Sequence, residues 1–323
     1  MRDSSRRLSW RRALGTGVVA LVLAGCAALT HSQAQRFSWS APVQIERGQY
    51  QSIYAVSCPS VAMCVAVDEN GAALTLRGTR WSDPSNVTGG TTLVSVSCSS
   101  TTSCVALSAS GESFRFNGRT WSSLGLIGSS LSFGHISCPT DTFCWAVGSN
   151  GMASEYNGTS WTTPVSVSRT AVAVKFSDVS CASSRLCVAV GPSGSVSMFD
   201  GTRWSLHEGD LATTPLLHLS CPTVAFCRAI TGGGESLTFD GRTWSPPEAM
   251  PNAANGYSSI SCPNSGFCIA VSLSGAAVAW SGSSWSSPAQ VIHDGYSATS
   301  SVSCASDRFC VMVNARGSSS TYR

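Results

Sequence analysis

Charge is scarce in this chain: Asp, Glu, Lys and Arg make up only 11% of its 323 residues. The formal net charge of +3 misdescribes the body of the protein, because Met1–Gly25 hold five arginines and a single aspartate. Without that segment 15 basic and 16 acidic side chains remain, a net charge of −1. Such a balance offers no basic stripe, which argues against a general nucleic-acid binder. Long apolar runs are also missing. The run from Gly17 to Ala24 is about half of the ~20 residues that span a bilayer, and no other segment comes closer. Helical periodicity does not compete anywhere after residue 35, so the rest of the chain reads as all-β. Cysteine, by contrast, is abundant. Fifteen is too many for an ordinary cytosolic protein; fourteen fall into regular pairs, which points to an oxidising compartment and a disulfide framework.

The amino terminus reads as an address. Arg2, Arg6, Arg7, Arg11 and Arg12 form a positive region, and the short apolar run follows it, the layout of a signal peptide. The run ends in Leu23-Ala24-Gly25-Cys26. This resembles the bacterial lipobox, in which the cysteine thiol is lipidated and the chain is cut just before it. Cys26 is also the one cysteine outside the pairs. The resemblance implies a lipoprotein-type signal peptide over residues 1–25 and a tether over 26–35. It also implies membrane attachment through Cys26 at the extracytoplasmic face of a bacterial cell, with plain secretion as the alternative. Arg6-Arg7 and Arg11-Arg12 are twin-arginine pairs without matching flanks, which leaves the export route open.

Seven Cys-x5-Cys pairs run down the chain: Cys58/Cys64, Cys98/Cys104, Cys138/Cys144, Cys181/Cys187, Cys221/Cys227, Cys262/Cys268 and Cys304/Cys310. Successive first cysteines stand 40, 40, 43, 40, 41 and 42 residues apart, the length of a four-stranded propeller blade. In each unit an alternating strand ends in Ser-Cys, and an apolar strand starts at the second Cys. A turn ending in Gly follows: Gly71, Gly111, Gly151, Gly194, Gly234, Gly275 or Gly317. A third strand then ends in turns such as Asn117-Gly118 or Asp240-Gly241, strong hairpin signals. A fourth strand carries Trp81, Trp121, Trp161, Trp204, Trp244 or Trp285. The last unit stops after its third strand, whereas Trp39 precedes the first pair. The segment around Trp39 is therefore expected to supply the missing strand, closing residues 36–323 into a seven-bladed β-propeller of four antiparallel strands per blade.

Zinc is the rival reading of paired cysteines. It needs four converging ligands, but successive pairs here lie one blade apart. Each pair sits at adjacent ends of two neighbouring strands, within disulfide reach, so one intra-blade disulfide per blade is expected. The residue before each first cysteine is always serine: Ser57, Ser97, Ser137, Ser180, Ser220, Ser261 and Ser303. A repeated serine reads as hydrogen bonding between blades, not as a nucleophile.

Three residues before the first cysteine the column reads Ala55, Ser95, His135, Asp178, His218, Ser259, Ser301. His135, Asp178 and His218 thus fall at equivalent places in three consecutive blades, near the axis, with Lys175, Tyr54 and Tyr257 close by in sequence position. These six are the candidate ligand-binding residues. Two imidazoles and a carboxylate also form a metal donor set; the simpler reading is hydrogen-bonded channel lining.

Strand order puts the fourth-to-first loops and Gly turns on one face, the top, and the disulfide loops and Asn/Asp-Gly turns on the bottom. By this placement the bottom carries Arg80, Arg119, Arg185, Arg203, Arg228, Arg242 and Arg308 against Asp141, Asp200, Asp240 and Asp307, and the top carries Glu46, Asp68, Glu69, Asp83, Glu208, Asp210, Glu248 and Asp294 against Arg47, Arg169, Lys175 and Arg316. With a tether spanning at most ~30 Å, the basic face is expected to look toward the membrane.

The Gly-x-x-Trp turns, as in Asp240-Gly241-Arg242-Thr243-Trp244, are similar to the Asp-box of sialidase-type propellers, although Asp200 and Asp240 precede Gly directly. The whole-chain pattern resembles the Cys-paired propeller lipoproteins of actinobacteria. That resemblance implies a fold and an anchor, but no activity or cofactor. The expectation is a monomeric, non-enzymatic binding or scaffold module for a protein or glycan partner. The alternatives are a glycan hydrolase or lyase using carboxylates such as Glu208 and Asp210, and a metal-dependent site at His135, Asp178 and His218.

Overall fold

The computed structural model describes residues 38–46, 51–128, 133–148, 150–167, 175–192, 194–206, 211–251, 256–293 and 298–323. Residues 1–35, where a signal peptide, Cys26 and a tether are expected, lie outside them, as do Arg47, Arg169, Glu208, Asp210 and Asp294. Residues Phe37–Arg323 form one unit of seven antiparallel sheets. Blade 2 shows the plan: Leu93–Ser100, Ser103–Ser108, Glu112–Phe116 and Trp121–Leu126, paired in that order from the inside outward. In blade 7 the inner strands are Thr299–Ser306, Phe309–Asn314 and Ser318–Tyr322, and Val43–Gln44 from the amino-terminal side forms the outermost. Trp39 bridges Tyr322 there, the pairing that closes the ring.

That pairing follows a rule of every blade. The outer tryptophan opposes a residue at the end of the third strand: Leu76, next to last in blade 1, and the last residues Phe116, Tyr156, Phe199, Phe239, Trp280 and, for Trp39, Tyr322. Six of the seven are aromatic pairs with ring centroids 5.2–5.7 Å apart. The outer strand is shorter than the sequence pattern suggests, for a reason also written in the sequence. In blades 1, 3, 5, 6 and 7 a proline stands three residues after the tryptophan: Pro84, Pro164, Pro247, Pro288 and Pro42. Lacking an N–H, it cannot extend the ladder, and the pairing resumes only as two-residue strands such as Val165–Ser166. Blade 2 has no such proline and keeps one continuous outer strand, Trp121–Leu126, with a bulge at Ser123/Gly125.

The seven turn glycines of the top face have φ between 73° and 83°. There a side chain is strained, and a Cβ on Gly71 or Gly194 would also run into the backbone of the fourth-to-first loop. On the bottom, Gly118, Gly158, Gly201 and Gly241 pack on the disulfide loop of their own blade, so the two faces are composed as the strand order requires. Asn117, Asn157, Asp200 and Asp240 complete those bottom turns, each side-chain oxygen accepting two backbone N–H groups. For Asp200, hydrogen bonds from Thr202 and Arg203 draw the carboxyl down to about 2.

The core lies between blades. Met63, Val65 and Val67 of blade 1, for example, pack on Leu93, Val96, Ala106 and Phe114 of blade 2. Every Cys pair stands at disulfide distance within its blade: Cys58–Cys64, Cys98–Cys104, Cys138–Cys144, Cys181–Cys187, Cys221–Cys227, Cys262–Cys268 and Cys304–Cys310, with S–S 2.03–2.10 Å. The pairs sit near the adjacent ends of neighbouring strands, as expected, and their second cysteines are core groups. Cys64, Cys104, Cys144, Cys187, Cys227, Cys268 and Cys310 are only 0–1% exposed. Each belongs to one of the seven apolar clusters between blades, as Cys64 does with Val56, Leu74 and Val311. The reason is their strand: the second of each blade is covered on both faces by its neighbours, so it is buried from its first cysteine onward. These seven residues are thus core side chains as well as staples, and none is accessible to a ligand. Only the five-residue loops between the cysteines face the bottom.

Beside the disulfides runs the serine column. Each Oγ accepts the backbone N–H of the first cysteine in the next blade at 2.9–3.0 Å, from Ser57 on Cys98 round to Ser303 on Cys58. Seven such bonds form a closed girdle that ties each inner strand to its neighbour, with ~1 kcal/mol expected from each.

At the closing seam Glu46 and Asp68 are buried, 4% and 1% exposed. Burial, then the charge of Asp68, a side-chain hydrogen bond with Asp68 and, more weakly, the charge of Glu69 push Glu46 up to about 7. The folded chain therefore holds this proton more tightly than the unfolded chain does, so stability is present at acid pH and is lost as pH rises from 4.5 through 7. Thermal unfolding between pH 5 and pH 8.5 should show the decline, at most about 3 kcal/mol. Glu46→Gln should flatten it.

Candidate functional site

The structure brings His135, Asp178 and His218 together across two blade boundaries. They stand on the inner strands Phe133–Thr140, Asp178–Ser183 and Leu216–Thr223. His135 Nδ1 lies 3.7 Å from Asp178 Oδ1, and His218 Nδ1 lies 3.4 Å from Asp178 Oδ2. The side chains are 35%, 19% and 30% exposed for His135, Asp178 and His218, open enough to meet a ligand.

Backbone bonds fix the carboxylate between the rings. Asp178 Oδ1 accepts the N–H of Val179 at 2.8 Å, and Oδ2 accepts the N–H of Leu219 in the next blade at 3.1 Å. The second bond explains the column. Ser259 and Ser301, at the equivalent positions, accept the N–H of Val302 and Val56 in the same manner. Asp178 therefore continues an inter-blade bond and adds a charge. Burial is the main influence holding His135 below the usual histidine range; His218 adds to it and Asp178 opposes it. Among the described residues no three His, Cys, Asp or Glu side chains are placed to hold a metal ion.

The remaining candidates separate. Tyr54 is 46% exposed on a bulge where the ladder skips from Ile53 to Ala55. Lys175 is exposed three residues ahead of Asp178. Tyr257 is not at an opening: it is 2% exposed, packed with Ile230, Met250 and Ile260, and its hydroxyl donates to the Pro251 carbonyl. It occupies the position five before the cysteine, which is buried in every blade, as Ile53, Leu93, Phe133, Phe176, Leu216 and Thr299 also show. Simple alternation from the cysteine misplaces it because the bulge between Tyr257 and Ser259 shifts the phase.

Arg228 also departs from its expected place on the bottom face. It is 2% exposed between blades 5 and 6, its guanidinium 3.6 Å from the Trp280 ring centroid and 5.2 Å from that of Trp285. Desolvation draws it down to about 10. Arg80, Arg119, Arg185, Arg203, Arg242 and Arg308 are exposed, whereas Glu46 and Asp68 of the acidic top are buried.

A groove of about 490 Å³, unforeseen in the sequence, lies at the outer rim between blades 3 and 4. It is lined by Trp145, Glu155, Thr162, Thr163, Arg203 and Trp204, among others. Its signal was Trp145, which stands where other blades carry Val65, Val105, Val188 or Val311.

No family model matches the chain, and no curated protein matches it. Solved structures do. YCF48 bound to D1 peptide superposes with a TM-score of 0.70 at 15% identity, over 88% of this chain and 96% of that one. The WD40 propeller domain of Doa1 gives 0.72 at 13% identity, over 90% and 97%, and U3-55K gives 0.72 at 11%, over 87% and 98%. The chain is a seven-bladed β-propeller, and at these identities the likeness shows the fold alone.

Proposed function

We propose that this chain is an exported, lipid-anchored propeller that serves as a non-enzymatic scaffold for a protein partner. The partner is engaged on the inner-strand surface around His135, Asp178 and His218. The carrying observation is the convergence of two imidazoles on one carboxylate in a ring whose serine and cysteine columns repeat unchanged in every blade. Repeated blades offer no unique nucleophile–base pair, and propellers of this shape include proteins that hold peptides, YCF48 bound to D1 peptide among them. The lipobox-like Leu23-Ala24-Gly25-Cys26 supports attachment to the outer surface of the cell membrane.

The test is affinity capture from a cell-envelope extract, comparing the wild-type chain with His135→Ala/His218→Ala. Asp178 is left in place because it also holds the Leu219 N–H. The double variant is expected to keep its thermal stability within a few degrees and to lose at least tenfold, about 1.4 kcal/mol, of its binding to the partner that the wild type retains. Retention of the same protein at the same strength by both forms refutes this placement. Metabolic labelling with palmitate, absent in Cys26→Ala, tests the anchor.

A further inference from the structure

We propose that the rim groove between blades 3 and 4 is a saccharide-binding site that takes a neutral hexose unit of an oligosaccharide, independent of the partner surface around His135 and His218.

The groove exists because of one substitution in the repeat. Residue 145 follows the second cysteine, where Val65, Val105, Val188, Ile269 and Val311 fill the space between blades with aliphatic side chains. Trp145 brings an indole to that position. It meets Trp204 edge-on, centroids 5.2 Å apart at 84°, and Phe199 at 5.0 Å, while Phe199 and Trp204 stand 5.6 Å apart. Three mutually touching rings form the aromatic floor. The groove's volume of about 490 Å³ falls within the ~300–1,000 Å³ of small-ligand sites.

Two indole donors there are left over. In blades 1, 3 and 6 the outer tryptophan donates Nε1–H to a serine on the third strand of the preceding blade: Trp81 to Ser319, Trp161 to Ser113 and Trp285 to Ser236. Each of those serines stands two residues after the turn glycine; for Trp204 that position is Ala153, which has no hydroxyl to accept. The adjacent Ser154 donates to the Thr162 carbonyl at 2.7 Å. Trp204 Nε1, on a side chain 9% exposed, has no acceptor, and neither does Nε1 of Trp145, 4% exposed. Trp244 and Trp280 lack acceptors too, at other blade boundaries, but here two such rings share one groove. Orphaned buried donors are costly, ~1–3 kcal/mol each, and two side by side call for an acceptor from outside.

The walls supply the complement. Glu155 offers a carboxyl that burial raises above the ordinary range, Thr162 and Thr163 offer groups for hydrogen bonding, and Arg203, paired with Asp200 at 3.8 Å, is an exposed cation in the lining. Hydroxyl oxygens to accept from indole, hydroxyl hydrogens for a carboxyl, and a C–H face for aromatic rings occur together in a sugar ring. An apolar peptide segment would cover the rings but leave the indole donors and Glu155 unanswered.

The test is titration of the full chain with chitotetraose, cellotetraose and mannotetraose, followed by tryptophan fluorescence and calorimetry. At least one should bind with millimolar or better affinity and shift the emission. Trp145→Val, which restores the residue four other blades carry, should weaken binding about tenfold or more, and Glu155→Gln should weaken it without altering thermal stability. His135→Ala/His218→Ala should leave saccharide binding unchanged, which separates this site from the partner surface. The proposal is overturned if none of the three binds at millimolar concentration. It is equally overturned if both groove variants bind like the wild type, or if tetraproline binds this groove and the saccharides do not.

Discussion

Reduction of the seven disulfides is expected to unfold the ring. Each closes a short loop, its cysteines six residues apart in sequence. In the chain-entropy model a loop of that size contributes about 2 kcal/mol. Seven of them approach ~15 kcal/mol, comparable with the ~5–15 kcal/mol by which a whole domain is stable. The rest of the architecture makes that contribution hard to replace. Ser and Ala recur throughout the buried strands, as in Ala66, Ser113, Ser154, Ser197 and Ala270, so the inter-blade core is thin in large side chains. The serine girdle depends on the same strand ends, because each Oγ bonds the N–H of a disulfide cysteine. Since Cys64, Cys104 and their five counterparts are buried, reductant reaches the bonds only when the blades open. Protein reduced in denaturant, alkylated and returned to buffer should fail to recover its near-ultraviolet dichroism, whereas the oxidised form should recover it. Replacing the single pair Cys98/Cys104 by alanines should cost about 2 kcal/mol, a fall of ~3–4 °C in midpoint for a domain of this size. Recovery of the native spectrum by the alkylated chain would show that the blades hold without their staples.

Most of the fold was written as repetition. Cysteine spacing set the number of blades, the displaced Trp39 set the closure, and the invariant serine announced a bond between neighbours. These are features in which seven copies vote together, so local noise cancels. How deep the second cysteines sit was not legible, because burial of a strand end depends on the neighbouring blade and not on the pair's own spacing. The site was legible only as a column. Counting back three residues from the cysteine correctly aligned His135, Asp178 and His218 because no irregularity separates that position from the disulfide end of its ladder in a way that changes its face: His135 pairs with Val147 and Asp178 with Val190. Closeness in sequence to that column failed for Tyr257, which lies beyond the bulge before Ser259 and is buried. Arg228 and Trp145 were misread or passed over for another reason. Both occupy a position that is aliphatic in the remaining blades, and a pattern read from the majority hides the exception. Where a guanidinium goes when its neighbours are Trp280 and Trp285 is decided by contacts across blades, which no spacing within one unit encodes.

Opening the seam should be the other large effect. Blade 7 is the only one assembled from both ends of the described chain. Its amino-terminal side is held by backbone bonds that include Ser38 N–H to the Arg323 carbonyl at 2.9 Å with its return at 3.2 Å, Ser40 N–H to the Thr321 carbonyl at 2.8 Å, Ile45 and Glu46 N–H to the Gly317 carbonyl at 2.9 and 3.2 Å, and the short pairing of Val43–Gln44, with Gln44 also bonding Arg316 and Ser318 at 2.9 Å. Ser40 also accepts the Thr321 N–H on its hydroxyl at 3.0 Å. The packing that secures them is Trp39 on Tyr322, 5.5 Å between centroids, with Tyr322 stacked in turn on Phe267 of blade 6. Trp39→Ala therefore removes the aromatic pair that every blade but the first possesses, at a cost of ~3 kcal/mol. Ser40→Pro removes a donor and an acceptor from the same ladder, ~1–3 kcal/mol more. A ring is only as stable as its weakest interface, because each sheet packs its faces on its neighbours, and an unsealed seam exposes the third strand Ser318–Tyr322 as a bare edge. The double variant should lower the melting midpoint by ~7–10 °C, gain protease cleavage near the two termini before any other site, and self-associate through the uncovered strand. A synthetic peptide spanning residues 36–46, added in excess, should restore much of the loss by pairing where the tethered strand no longer can. If the double variant melts like the wild type and the peptide has no effect, the seam does not limit stability, and the ring is held shut by the inner girdle alone.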